Sequence, residues 1–254
     1  MITDTHAHYD DKQYNGDREE MIAKLKKSGV ETVINSGSNV RSSQKSSELA
    51  KKYDFIYATV GVHPHDAERT PEDTVDILDG LLKNPKVVAI GEIGLDYYRN
   101  FSKKESQKYW FKKQMDFAVD VKYPVVIHDR DAHGDCLDMV KRYKDKINGV
   151  FHCYAGSVEM SKELMKLGYM FSFGGVVTFA NAKTCHEVVR SLPIEYILLE
   201  TDCPYLTPHP HRGERNDSSY LYLVAQRIAE LKNISVDEVI RKTSENAKRC
   251  FGLK

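Results

Sequence analysis

The chain has 254 residues, 37 of them basic and 37 acidic, so its formal net charge is zero and no global field would draw a polyanion to it. Any contact with nucleic acid or phosphate therefore has to come from a local patch. There is no run of 18 apolar residues, no basic start followed by an apolar stretch, and no Cys-x-x-Cys pair among five scattered cysteines, which argues against a membrane span, a signal peptide, a disulfide framework and a zinc ribbon. The expectation is a soluble cytoplasmic protein without membrane contact.

Met1 to His8 reads as the first strand. Residues two apart on a strand share a face and stand about 6.6 Å apart, so His6 and His8 project together. Asp4 shares that face, where its carboxylate could accept the second ring proton of a ligand histidine. Further β-rich runs follow at Thr32 to Ser36, Ile56 to Val62, Val87 to Gly91, Val125 to His128, Val150 to His152, Tyr169 to Phe173 and Ile197 to Thr201. Helical periodicity fills the intervals, near Arg18 to Ser28, Arg41 to Tyr53, Pro71 to Lys83, Lys104 to Lys122, Ala132 to Tyr143, Val158 to Lys166, Lys183 to Ser191 and Ser219 to Leu231. Eight strands alternating with eight helices over about 250 residues is the arithmetic of an α/β fold closed into a (β/α)8 TIM barrel.

Several helices carry local signals. Thr70, Pro71 and Asp73 predict an N-cap, a first-turn proline and an N3 acid, and Phe111, Met115, Ala118 and Val119 form one apolar stripe. Ser235 and Glu238 form a capping box for a further helix that Gly252 could end. We read it as an extra C-terminal helix packed on the barrel, and residues 1–254 as a single domain, since no linker or low-complexity tract interrupts the run.

In such a barrel the active site lies at the C-terminal ends of the strands. His6 and His8 end the first strand, Glu92 the fourth, His128 the fifth, His152 the sixth and Asp202 the eighth. Four imidazoles and two carboxylates exceed what one tetrahedral ion needs, so two divalent metal ions sharing a bridging group is the natural count. Glu92, central in chain order, is the bridge. The donor set suits Mg, Mn or Zn without choosing among them. Such a pair activates water and clamps an in-line displacement at phosphorus, with Asp202 binding metal and accepting the water's proton. Glu92 and Asp202 are thus the candidate catalytic residues.

At these residues the chain resembles the TatD family of metal-dependent deoxyribonucleases, within the amidohydrolase-like superfamily. The matching segments are Asp4-Thr-His-Ala-His8, Gly61-Val-His-Pro-His65, Gly91-Glu-Ile-Gly-Leu-Asp-Tyr-Tyr98, Ile127-His-Asp-Arg-Asp-Ala132, His152-Cys-Tyr-Ala-Gly156, Glu200-Thr-Asp-Cys-Pro-Tyr-Leu206 and Arg212-Gly-Glu-Arg-Asn216. The resemblance implies that His6, His8 and Asp202 hold one metal, His128 and His152 the other, and that Glu92 bridges them. It also implies hydrolysis of DNA phosphodiesters, as a 3′-to-5′ exonuclease on single strands, with no organic cofactor. Two departures stand out: Thr3 where the family usually has an apolar residue, and Ser218 where it often has proline. The rival reading is an amidohydrolase or D-aminoacyl-tRNA deacylase using the same dinuclear site. Many such enzymes bridge their metals with a carboxylated lysine on strand four, where this chain has Glu92.

Around the ligands, His63 follows strand three and could contact a phosphate, and Arg130 and Arg212 could bind the backbone of a strand. Tyr97 could stack on a base. His65, His133, His186, His209 and His211 fall off the ligand pattern and read as ordinary polar residues. Oligomeric state is left open, a monomer being sufficient.

Overall fold

The computed structural model describes residues 2–253, so Met1, the expected first residue of the first strand, lies outside it. Its eight strands are β1 Ile2–Ala7, β2 Val30–Ser36, β3 Ile56–Val60, β4 Val87–Asp96, β5 Val125–Arg130, β6 Gly149–Phe151, β7 Tyr169–Phe173 and β8 Ile197–Leu199. They form one parallel sheet in chain order, each hydrogen-bonded to the next. Helices α1 Arg18–Leu25, α2 Val40–Lys52, α3 Thr74–Leu81, α4 Lys104–Val121, α5 His133–Lys141, α6 Val158–Lys166, α7 Lys183–Ser191 and α8 Leu221–Lys232 alternate with them, and α9 Val236–Phe251 follows. This is the (β/α)8 barrel. Among the described residues no helix is long and apolar enough to cross a membrane.

The sheet closes on itself between β1 and β8. Ala7 bridges Cys203, the Asp202 N–H donates to the His6 carbonyl at 2.9 Å, and the His8 N–H donates to the Cys203 carbonyl at 2.8 Å. Behind this seam lies the Asp4 carboxylate, with no exposure. It accepts from the backbone N–H of His6 and Thr201 (3.2 and 3.0 Å) and from the hydroxyls of Thr201 and Ser218 (2.7 and 2.6 Å). Burial pushes Asp4 up to about 7 even though all four hydrogen bonds act against it. Asp4 is therefore a clasp between β1, β8 and the segment before α8. The expectation that it supports a histidine ring is corrected: it holds the backbone of the ligand strand instead.

Strand alternation sorts the barrel interior by depth. Ile34, Val88, Val126, Val150, Met170 and Leu198 form one apolar cluster, with Ala247 and Phe251 of α9 packed on it. One or two alternations further along the same strands come Ser36, Glu92, His128, His152, Ser172 and Glu200. The floor is thus greasy and plugged by α9, while the mouth is polar. Capping begins α9 as expected, with the Ser235 hydroxyl accepting from the Glu238 N–H at 3.1 Å and Gly252 ending it at φ 63°.

Several expectations need correcting: β3, β6 and β8 stop at Val60, Phe151 and Leu199, so that His152 and Asp202 follow their strands instead of ending them. Strand β4 runs five residues past Gly91 and β5 two past His128, because pairing continues through Gly94 with His128 and Asp96 with Arg130. Gly94 permits it: its φ is 138°, and a Cβ there would stand 2.0 Å from the His128 carbonyl oxygen. Glu92 consequently sits within β4 and not at its end. The expected cap of α3 also differs, since the Thr70 hydroxyl donates to the Asp66 carbonyl of the preceding 3-10 turn, leaving Pro71 outside the helix.

Asp4→Ala leaves four buried donors without an acceptor and should cost about 3 kcal/mol or more in urea-induced unfolding. Thr3 offers a control. Its hydroxyl is buried without a partner, so Thr3→Val should be neutral or stabilising by about 1 kcal/mol; marked destabilisation there would contradict this assignment of the seam.

Candidate metal centre

At the mouth, one carboxylate gathers five imidazoles. Glu92 is 4% exposed, and its two oxygens face different partners. Oε2 lies 3.3 Å from His6 Nε2 and 3.6 Å from His8 Nε2. Oε1 lies 2.8 Å from His128 Nδ1, 2.8 Å from His152 Nε2 and 3.3 Å from His63 Nε2. Asp202, in the left-handed region at φ 56°, turns its Oδ1 to within 3.3 Å of His8 Nε2 and 3.8 Å of His6 Nε2. All six residues singled out in the sequence meet here, and His63 joins them.

The donor set fits divalent metal. Ligand atoms about 2.1 Å from a shared ion in tetrahedral array stand roughly 3.4 Å from one another. The nitrogens of His6 and His8 are 3.1 Å apart, as are those of His128 and His152. Three groups lie within a single ion's reach: His6, His8 and Glu92; His63, Glu92 and His128; and His6, His152 and Asp202. His152 stands between the halves, its ring stacked on His6 with centroids 4.0 Å apart.

In His6, His8, His63 and His128 the ring nitrogens turned away from the centre have their own partners. His6 Nδ1 meets the Ser36 hydroxyl at 3.2 Å and His8 Nδ1 the Ser36 carbonyl at 2.9 Å. His63 Nδ1 accepts from the His65 N–H, and His128 Nε2 faces Asp96 Oδ2 at 3.3 Å. Asp96 also takes His65 Nε2 at 2.7 Å, while its other oxygen accepts the Arg99 N–H. His65 lines the mouth, correcting its reading as an ordinary polar residue. A signal for both was present: His63-x-His65 repeats the spacing of His6-x-His8, and Asp96 lies two alternations beyond Glu92.

The electrostatics follow from this crowding. Burial alone would raise Glu92, but the fields of His152, His63 and His6 hold it well below the usual carboxylate range. Asp202 is likewise lowered against its burial, chiefly by His8. Burial lowers His6, and it takes His63 down to about 4. For His8 the Asp202 carboxylate outweighs burial and lifts it to about 9. His128 and His152 are raised in the same way, by Asp96 and Glu92 for the first and chiefly by Glu92 and Glu200 for the second.

A cavity of about 760 Å³ opens above the centre, lined among others by His63, His65, Arg99, Arg130, Phe179 and Arg212. The Arg212 guanidinium lies over the Phe179 ring at 4.1 Å and that of Arg130 over Tyr98 at 4.2 Å. Tyr97 is absent from this lining. Its hydroxyl donates to Asp135 at 2.6 Å and Lys104 covers its ring, so the stacking expectation for Tyr97 is corrected; the exposed neighbour is Tyr98.

The family model described as TatD related DNase matches residues 3–252. An uncharacterized metal-dependent hydrolase, YabD, of Bacillus subtilis is 44% identical over the full length of both chains. The 3′-5′ ssDNA/RNA exonuclease TatD of Escherichia coli is 35% identical over 95% of each. Among solved structures, YJJV, a TatD homolog from Escherichia coli, superposes with a TM-score of 0.93 at 28% identity, covering 100% of this chain and 98% of that one.

Metal must displace protons from His8, His128 and His152, whose values are raised, whereas Glu92 and Asp202 are already ionised. Affinity for Mn²⁺ should therefore climb steadily from pH 6 to 9, with net proton release at pH 7. Calorimetric titration in buffers of different ionisation enthalpy measures both; a flat profile without proton release would contradict the ligand set.

Proposed function

We propose, from the premise that this chain belongs to the TatD-related DNase family and is a metal-dependent hydrolase, that it cleaves DNA phosphodiester bonds, trimming single strands from the 3′ end at a two-metal centre. The observation that carries the two-ion reading is the division of labour at Glu92, each of whose oxygens has its own set of imidazoles. His6, His8 and Asp202 would hold one ion and His128 and His152 the other, with Glu92 between them and His63 beside the second. Divalent ions bound there supply Lewis-acid activation of water and neutralise charge developing on the phosphate.

The chain's own residues do the rest. Asp202 is ionised and only partly covered, so its carboxylate can accept a proton from the attacking water. Its backbone takes the left-handed conformation at φ 56°, and its Oδ1 stands 3.3 Å from His8 Nε2. Glu92 stays anionic at the centre and keeps the two ligand groups at fixed separation. Arg130 and Arg212, each laid over an aromatic ring, stand on the cavity wall as cations for flanking phosphates. Since the whole chain has no net charge, such local cations are what would seat a polyanion.

End-labelled single-stranded and duplex DNA, D-aminoacyl-tRNA and an amide panel test the reading together. We expect mononucleotide release from single-stranded DNA that EDTA abolishes and Mg²⁺ or Mn²⁺ restores. Glu92→Ala and Asp202→Ala should each lower the rate by about 1000-fold, and Arg130→Ala should act mainly on KM. Hydrolysis of amides or aminoacyl esters without any of DNA would replace the nuclease reading, and full activity in Glu92→Ala would remove the bridge.

A further inference from the structure

Of the rings at the centre, His152 alone has an outer nitrogen without a partner among the described residues. His152 Nδ1 is buried and makes no hydrogen bond, and a carboxylate oxygen, Glu200 Oε2, stands 3.7 Å from it. Glu200 has no exposure, and its Oε1 is also buried without a partner. Its Oε2 accepts from the Ser172 hydroxyl at 2.5 Å. A buried donor and a buried acceptor left unmade are costly, and here His152 Nδ1 and Glu200 Oε1 belong to neighbouring side chains, whose Nδ1 and Oε2 atoms stand 3.7 Å apart.

The surroundings favour closure of that gap. Glu200 immediately follows β8, and its side chain meets the hydroxyl of Ser172 in β7. Gly174 leaves room for it, since a Cβ at that position would stand 3.4 Å from the Glu200 Cγ and 3.1 Å from its carbonyl oxygen. His152 Nε2 stands 2.8 Å from Glu92 Oε1 while Nδ1 faces Glu200, so a proton held on Nδ1 leaves Nε2 free to face the centre. The neighbouring His128 shows the same arrangement already closed to 3.3 Å on Asp96. His6 and His8 differ, being backed by the uncharged Ser36.

We propose that Glu200 is a positioning residue for His152: it fixes the proton on Nδ1 and so aims the Nε2 lone pair into one of the two ion positions. This rests on the two-ion reading given above. Carboxylate support of a ligand histidine raises ligand basicity and holds ring orientation, so its loss weakens the ion that His152 binds and spares the other.

Mn²⁺ titration followed by electron paramagnetic resonance resolves the two affinities. Glu200→Leu should weaken one ion by about 10- to 100-fold and leave the other within about 2-fold, and Glu200→Gln, which keeps an acceptor oxygen, should recover most of the loss. Equal weakening of both ions, or equal behaviour of the leucine and glutamine variants, would overturn the proposal. Should Glu200→Leu not fold, ¹⁵N NMR of the wild-type protein loaded with Zn²⁺ decides the matter: His152 must carry its proton on Nδ1 in a hydrogen bond, and a proton on Nε2 sinks the assignment. A wild-type titration ending at one ion would remove the two-ion reading by itself, and Glu200 would then stand or fall on that tautomer.

Discussion

Burying the Glu92 carboxylate is the constraint on which the rest of this molecule depends. An isolated carboxylate in a barrel interior would cost several kcal/mol or take up a proton. Here it stays ionised because five imidazoles from four different strands or strand ends surround it. Those imidazoles are far apart in sequence, from His6 to His152, and only a closed sheet brings them within reach of one another. Closure at the β1–β8 seam is therefore part of the site: Asp4 binds the backbone of the strand that carries His6 and His8, together with Thr201, the neighbour of Asp202.

The same alternation that builds the site also insulates it. Along six of the strands the inward residues change from apolar at the floor to polar at the mouth, and α9 covers the floor with Phe251. Charge is confined to one end of the lumen, beneath an open cavity whose walls hold arginines packed on aromatic rings. The donor set is thereby held rigid, with little freedom to rearrange, beneath a cavity of about 760 Å³.

Much of this was legible in the sequence because period-two alternation and strand-terminal position are local properties. His6, His8, Glu92, His128, His152 and Asp202 could be picked out from the runs that precede them, and the eight-fold alternation of strand and helix followed from the same reading. What escaped was set by partners distant in the chain. Gly91 read as the end of a strand, yet close packing of Gly94 against His128 carries β4 on to Asp96. Asp4 was legible as an inward acid but not as a clasp, since Thr201 and Ser218 are about 200 residues away. His63 and Tyr97 depended on where a loop turns its side chains, which no local pattern specifies. Ser218, a departure from the family pattern, is accounted for by its bond to Asp4; Thr3, the other departure, has a hydroxyl that nothing in the structure employs.

The central claim is that Glu92 joins two ions, one at each oxygen. Anomalous diffraction from crystals grown with Mn²⁺ tests it most directly. The account predicts two peaks, one bounded by Glu92 Oε2, His6, His8 and Asp202, the other by Glu92 Oε1, His128 and His152. A single peak, or two ions of which either makes no contact with Glu92, would contradict it.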